Sequence, residues 1–422
     1  MGETKRPTGP LAGAKVIELA HVMAGPTCGR MLADMGADVI KVERIPGGDD
    51  SRRDTVAGDA GGNDSLAFVM MNRNKRGIAI DLKSPGGKQV LLRLLEDADV
   101  VIENYRHDTM AKLGLSYEEL HERFPKLVYC AVSGFGRTGP YRERGGFDLI
   151  AQGMSGLMSI TGEGPGRPPV KIGPPVTDIT AGILATMGVV AALYNREQTG
   201  RGQMVDTSLY EAGITLTYWH SAICFATGDN PGGLGSAHPL NTPYQAYETA
   251  DGWINVGGAN QSNWTRLLNV LGDEDLKADG RFSDNALRMK NKPALDAILT
   301  EHFRQRSTQS WLDALEAAGI PAGPINTVKE MHADPQTLAR DMVVSSRHSR
   351  LGEVKTIGFP VKFSETPGGI VSGAPVYGEH TRTILAEHGF GTEEIEKLVK
   401  QSAVVAADSE SAARAPAEGP AY

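Results

Sequence analysis

Five short apolar runs separated by helix-like stretches fill the first third of the chain, and they leave few folds open to it. AKVIEL (from Ala14), ADVIKVE (from Ala37), GIAIDL (from Gly77), ADVVIEN (from Ala98) and LVYCAVSGF (from Leu127) have strand length and are rich in β-branched residues. Between them, AGPTCGRMLADMGA and GKQVLLRLLEDA place apolar residues at helical spacing. Strands that alternate with helices predict a parallel sheet covered on both faces. Ligands of such sheets gather at the carboxyl ends of the strands. Those ends carry Glu43-Arg44, Asp81-Leu82-Lys83, Glu103-Asn104-Tyr105-Arg106 and Ser133-Gly134-Phe135.

The pattern changes after Gly146. FDLIAQGMSGLMSITG reads as a helix rich in small residues, followed by the Gly/Pro loop GEGPGRPPVKIGPP. TDITAGILATMGVVAALYNR is long and nearly apolar, which predicts a buried helix. TGRGQMVDTSLYEAGI predicts a turn, a strand and a further helix. Residues 230–243 are rich in Gly, Pro and Asn and read as an interdomain loop. PYQAYETADGWINVGG alternates about Asp251-Gly252, a hairpin signal, and helical stretches follow. These boundaries predict a large domain over 1–225 and 330–402 and a smaller one over 226–329. Residues 403–422, poor in large apolar side chains, read as a disordered tail.

Composition narrows the function classes. Of 422 residues, 22% are charged and the net charge is -8, with no basic arm, which argues against nucleic acid as a partner. Cys28, Cys130 and Cys224 lie too far apart for a metal site or a disulfide framework, so free thiols in a reducing cytoplasm are expected. The N-terminal residues lack the apolar core of a signal peptide. No uninterrupted apolar run has the length of a membrane span, so no membrane partner is expected. There is no GxGxxG after the first strand, no Walker loop, no HExxH and no GxSxG.

Asp178 is the most informative acid. It stands in GPPVTDITAG, where a Gly/Pro loop gives way to the long apolar helix, and Thr177 or Asp178 is placed to cap that helix. A carboxylate there faces the positive end of the helix dipole, which favours the ionised form that a carboxylate nucleophile needs. An Asp at a helix start is ordinarily only a cap, and position alone favours that reading. Arg44, Lys75, Arg76, Lys83, Arg106 and Lys112 fall near loops that suit phosphate groups, although each taken alone reads more readily as solvated surface. Gly146-Phe147-Asp148 reads as a helix start with a packed aromatic. His21, His238 and Cys130 are weaker candidates.

Taken in order, the segments resemble the class III CoA-transferases, the CaiB/BaiF family. AHVMAGPTCGRMLADMGADVIKVER, NRNKRGIAIDLKSPGG, DVVIENYRHDTMAKLGL, GGFDLIAQGMSG, GPPVTDITAGILA, TGRGQMVDTSL, DGWINVGGANQSNWTRL, AGIPAGPINTVKE and YGEHTRTIL follow the family's blocks up to about Leu398. The resemblance implies a large Rossmann-like domain with an inserted smaller α+β domain, in an interlocked-ring homodimer. It implies that Asp178 is the nucleophile and that acyl-CoA is a substrate, with no tightly bound cofactor and no metal. It implies that CoA is held by Met23, Ala24, Arg44, Ile80, Lys83, Asn104, Tyr105, Arg106, Lys112, Gly146, Phe147 and Asp148. Arg144, His238 and Asn260 are candidates for binding the carboxylic acid.

The chain departs from two branches of that family. Met23 stands where the formyl-CoA:oxalate enzymes carry a glutamine, and their tetraglycine loop has no clear counterpart in GGLGSAHPLNTPYQ or VGGANQ. Phe147 stands where the related α-methylacyl-CoA racemases carry a histidine, and a phenyl ring exchanges no protons. A transferase moving CoA from a donor such as succinyl-CoA to a small carboxylic or dicarboxylic acid is therefore expected. A racemase and a non-catalytic CoA-binding protein are the alternatives.

Overall fold

The computed structural model describes residues 9–54 and 64–407. They form two compact units, one of residues 9–54, 64–157, 172–217 and 335–407 and another of residues 158–171 and 218–334. In the first unit all five strand expectations are met. β1 (Lys15–Glu18), β2 (Asp38–Arg44), β3 (Lys75–Ile80), β4 (Val100–Glu103) and β5 (Val128–Ser133) are joined by β6 (Met204–Ser208). The helices that matter for the site are α1 (Ala24–Asp34), α2 (Leu66–Asn72), α3 (Pro85–Leu94), α4 (Thr109–Lys112), α5 (Tyr117–Arg123), α6 (Asp148–Met154), α7 (Val176–Thr199) and α8 (Leu209–Thr215).

The strands lie side by side as β3-β2-β1-β4-β5-β6, all parallel. Strand order therefore reverses direction between β1 and β4, the switch point of a doubly wound sheet. Alternation along β1 explains why both faces need covering. Ile17 and Leu19 join the core under α3 and α5, while Val16 and Ala20 join the core under α1 and α7. Ile17 pairs with both Ile40 and Val101.

The tail differs from the sequence expectation. Ala403–Ala406 are buried, and Val404–Val405 pair antiparallel with β3, closing its open edge. A disordered tail from 403 is therefore incorrect for these residues, because four small or β-branched residues are enough to cover one strand edge. Residues 408–422 lie outside the described residues.

α7 also differs. By length and composition it is apolar enough to cross a bilayer, which an inspection for uninterrupted runs misses. Only one face is buried: Ala181, Ala185, Val189 and Ala192 pack into the core beside α1. Gly182 permits a close crossing there, since a Cβ on it would lie 2.5 Å from the Thr27 Cβ and 2.6 Å from the Ala24 carbonyl oxygen. The opposite face leaves Ile183, Met187, Val190 and Tyr194 exposed. The helix ends at Gly200, whose positive φ of 71° suits a residue without Cβ.

The second unit carries the hairpin expected about Asp251-Gly252, with Tyr244–Glu248 antiparallel to Trp253–Gly257 and Ala322–Pro324 as a third strand. Its core is built from Trp264, Leu267, Leu299, Phe303 and Trp311. The Trp311 indole N–H donates to the Phe303 carbonyl at 2.7 Å.

Candidate active site

A cavity of about 380 Å³ opens at the carboxyl ends of β1–β4, on the switch point. Arg44, Ile80, Lys83, Tyr105 and Lys112, all expected at the CoA site, line it together with His21, Asp49, Asp81 and Leu113. Its walls are mainly apolar, and Arg44, Lys83 and Lys112 stand among them together with the acids Glu43, Asp49 and Asp81. Arg44 is exposed and pairs with Asp50, and Lys112 is exposed and pairs with Asp108 one turn back on α4. Lys83 has no ion-pair partner among the described residues.

Other basic residues do different work. Lys75 and Arg76 open β3, at the end of the strand away from the cavity; the buried Lys75 side chain reaches Glu18 beneath the β1–α1 turn, and Arg76 pairs with Asp38 and Glu387. They do not belong with the phosphate-binding cations, because both stand at the start of the strand whose carboxyl end forms the cavity wall. Arg106 is exposed and does not line the cavity. Asn104 is committed elsewhere: its Oδ1 accepts from the His21 N–H at 2.9 Å and its Nδ2 donates to the His21 carbonyl at 2.8 Å.

Those two bonds belong to a set that fixes the β1–α1 turn. Lys41 Nζ donates to the Ala20 carbonyl at 2.9 Å, and Lys75 Nζ donates to the Pro26 carbonyl at 3.0 Å. The Asp49 carboxylate accepts from the Val22 N–H at 3.0 Å. Val22 needs this support, since φ of 66° is a strained conformation for a β-branched residue. The cations are themselves neutralised under the turn, Lys41 by Glu18 at 3.0 Å and Asp49 at 2.8 Å, and Lys75 by Glu18 at 2.7 Å. Gly29 makes room for this cluster, because a Cβ on it would lie 1.8 Å from Glu18 Oε2. Burial disfavours the Asp49 charge, but Lys41 and the Ser51 bonds outweigh it and hold the carboxyl below the usual carboxylate range. Met23, half-buried, and Ala24, buried, start α1 directly after this turn.

Asp178 sits in the first turn of α7, but neither it nor Thr177 caps the helix as expected. The residue before the helix is Pro175, which offers no capping side chain. The cap comes from α6: Asp148 Oδ1 accepts from the Thr177 N–H at 3.0 Å and from its hydroxyl at 2.8 Å. Gln152 Nε2 donates to Asp148 Oδ2 at 2.7 Å, and Gln152 Oε1 accepts from the Ile172 N–H at 2.8 Å. Asp178, half-buried, makes no hydrogen bond or ion pair among the described residues. Its acidity is the reverse of the expectation that the helix start keeps it ionised. Burial first, and the Asp148 charge second, push its carboxyl up to about 7.

The other expected residues divide. Gly146 lies against Gly134, where a Cβ would approach the facing Cα to 2.5 Å, so two backbones meet there. Phe147 is 79% exposed and is not the packed aromatic that was expected. The exposed Arg144 guanidinium stacks over the Tyr141 ring at 3.9 Å, and Tyr141 meets Phe135 edge-on. In the second unit, Asn260 Oδ1 caps the helix Gln261–Leu271 by accepting from the Asn263 N–H at 2.8 Å. His238 lies between the Trp219 and Tyr244 rings, and its Nδ1 accepts from the Leu240 N–H at 3.1 Å. Asp49 was overlooked in the sequence, where GGDDS after β2 is its only signal. The Thr177–Asp148 tie, spanning 29 positions, leaves none.

The profile of CoA-transferase family III matches residues 11–381. The chain belongs to this family. It is 42% identical over 382 residues to a succinate–glutarate CoA-transferase of Agrobacterium fabrum, which covers 90% of this chain and 95% of that one. It is 36% identical to the human succinyl-CoA:glutarate CoA-transferase, over 90% of this chain and 86% of that one. A CaiB/BaiF family protein from Brucella suis has a similar structure, with a TM-score of 0.80 and 39% identity over 90% of this chain and all of that one. The family III chain is thus an enzyme with CoA-transferase activity, and CoA thioesters are its substrates.

Proposed function

We propose that this family III enzyme moves CoA from succinyl-CoA to a small dicarboxylic acid, with glutarate as the first acid to test, through a covalent intermediate on Asp178. The observation that carries the mechanism is the half-buried Asp178 carboxylate, free of hydrogen bonds among the described residues and basic enough to be a good nucleophile. The glutarate-using relatives support the acid class. An Asp178 oxygen attacks the thioester carbonyl, the C–S bond breaks, and CoA thiolate leaves behind a mixed anhydride. The thiolate attacks the Asp178 carbonyl and expels succinate, giving an aspartyl-CoA thioester. The acceptor carboxylate displaces the thiolate to form a second anhydride. The thiolate then takes the acceptor acyl group and frees the Asp178 carboxylate.

CoA lies along the cavity with its phosphates toward Arg44, Lys83 and Lys112, its adenine beside Ile80 and Tyr105, and its thioester toward Met23, Ala24 and Gly146 to Asp148. Arg144 is a candidate for the acceptor carboxylate. The two compact units are the large CoA-binding domain and the smaller inserted domain. The exposed apolar face of α7, with Met187 at 63% and Tyr194 at 70%, supports an interlocked homodimer in which a second copy covers it. We place the enzyme in the cytoplasm. Phe147 argues against racemase chemistry, which needs a second proton-transferring group.

Screening acyl-CoA donors against free acids by mass spectrometry tests the assignment. Asp178→Ala is expected to lower transfer by at least about a thousandfold. Racemase activity would instead exchange the α-proton in deuterated water without acceptor acid, and a non-catalytic protein would exchange no labelled CoA.

A further inference from the structure

We propose that Asp148 is a positioning residue for the transfer reaction: by taking the Thr177 N–H and hydroxyl at the start of α7, it places a fixed negative charge beside Asp178 and keeps that carboxylate a strong nucleophile. The inference rests on Asp178 being the nucleophile. An acid in the first turn of a helix is normally stabilised by the free N–H groups and the dipole there. In this enzyme the Thr177 N–H already points at Asp148 Oδ1 from 3.0 Å, and the hydroxyl from 2.8 Å. Gln152 fixes the other carboxylate oxygen from 2.7 Å and is itself anchored by the Ile172 N–H. Asp148 thus has three donors and a set orientation, whereas Asp178 has none among the described residues.

Among the described residues, no other charge near the start of α7 acts on the Asp178 carboxyl as this one does. The elements packed on α7 bring Cys28, Arg30 and Asp34 on α1, Asp148 on α6, Tyr210 and Glu211 on α8, Tyr129 and Cys130 on β5, and Asp206 on β6. α7 itself carries Arg196 and Glu197 near its far end. Of these, only Asp148 acts on the Asp178 carboxyl, adding to the upward push of burial.

The consequence is specific to a carboxylate nucleophile. Nucleophilic strength rises with basicity, and the best compromise between strength and ionised fraction lies near the working pH. Acylation also discharges Asp178, so the repulsion from Asp148 exists before attack and vanishes in the anhydride. Asp148 therefore favours the acylated enzyme over the free one.

The test is the pH profile of CoA transfer from succinyl-CoA to glutarate by the full-length enzyme. Wild type is expected to lose activity on acidification with an inflection near pH 7. Asp148→Asn is expected to move that inflection down by about one unit, and to lower the plateau rate by roughly tenfold. Asp148→Ser, which keeps a short acceptor without charge, carries the same expectation, and Asp148→Glu is expected to return the inflection toward pH 7. A folded neutral variant whose inflection stays near pH 7 would overturn the proposal. Failure of both neutral variants to fold would overturn it too, in favour of a purely structural cap. Full transfer by Asp178→Asn would instead sink the nucleophile assignment on which it rests.

Discussion

Under the β1–α1 turn, Glu18, Lys41, Asp49 and Lys75 are buried and each is paired, whereas at the start of α7 the half-buried Asp178 has no partner among the described residues. The first region holds backbone: the carbonyls of Ala20 and Pro26 and the N–H of Val22 are each met by a charged side chain. The second leaves a charge without support. A binding surface gains from rigidity, since a preformed turn loses little entropy when a ligand arrives. A nucleophile gains from a ground state that is costly to hold. Under the proposed assignments, the contrast divides one sheet-and-helix framework into a stiff binding end and a strained chemical one.

Removing a member of the paired cluster is expected to give the largest effect on stability. Asp49→Ala leaves Lys41 short of a partner and Val22 without its acceptor, and should destabilise the fold by about 3–5 kcal/mol in urea titrations. A loss below about 1 kcal/mol would show that the turn holds itself.

Asp178→Asn should act in the opposite direction. With the folded-state carboxyl raised to about 7, both folded and unfolded chains are protonated below about pH 4, and no penalty exists there. As pH rises from 4 to 7 the unfolded chain ionises first, so the folded state loses ground, and above 7 the whole penalty is present. Asp178→Asn should therefore stabilise the fold by roughly 2 kcal/mol at pH 8, discounted for partial exposure, and hardly at all at pH 4. Thermal melts at the two pH values check this, and equal shifts would break the comparison.

Rim cations should matter less. Arg44→Ala is expected to raise KM for acyl-CoA by about tenfold with kcat nearly unchanged, as for uniform binding. Lys112→Ala, an exposed cation already paired within its own helix, should change KM by no more than about threefold. Steady-state kinetics on the pair sharpens the account if the order holds.

The stiff end was largely legible in the sequence. Apolar runs of strand length fix β1 to β5, and parallel topology puts Arg44, Lys83 and Tyr105 at one end of the sheet. What the runs conceal is the charge inside them. Glu18, Lys41 and Lys75 look like solvent-facing positions of their strands, and only Gly29 on α1, by lacking a Cβ, lets them pair beneath a helix. The strained end was legible as a position and not as a state. Asp178 stands out at the loop–helix junction, yet the helix is capped by Asp148 across a tertiary contact, and burial together with the Asp148 charge reverses the expected acidity. Likewise α7 reads as a fully buried helix, because composition cannot tell a face that meets its own core from one that the chain leaves exposed.

The proposed covalent intermediate on Asp178 can be trapped directly. Incubating the enzyme with succinyl-CoA, without acceptor acid, and reducing with borohydride should convert the aspartyl thioester to homoserine. Peptide mass spectrometry is expected to find that change at position 178 alone and to lose it in Asp178→Ala. Homoserine at another carboxylate, or none in an enzyme that still transfers CoA, would contradict the account.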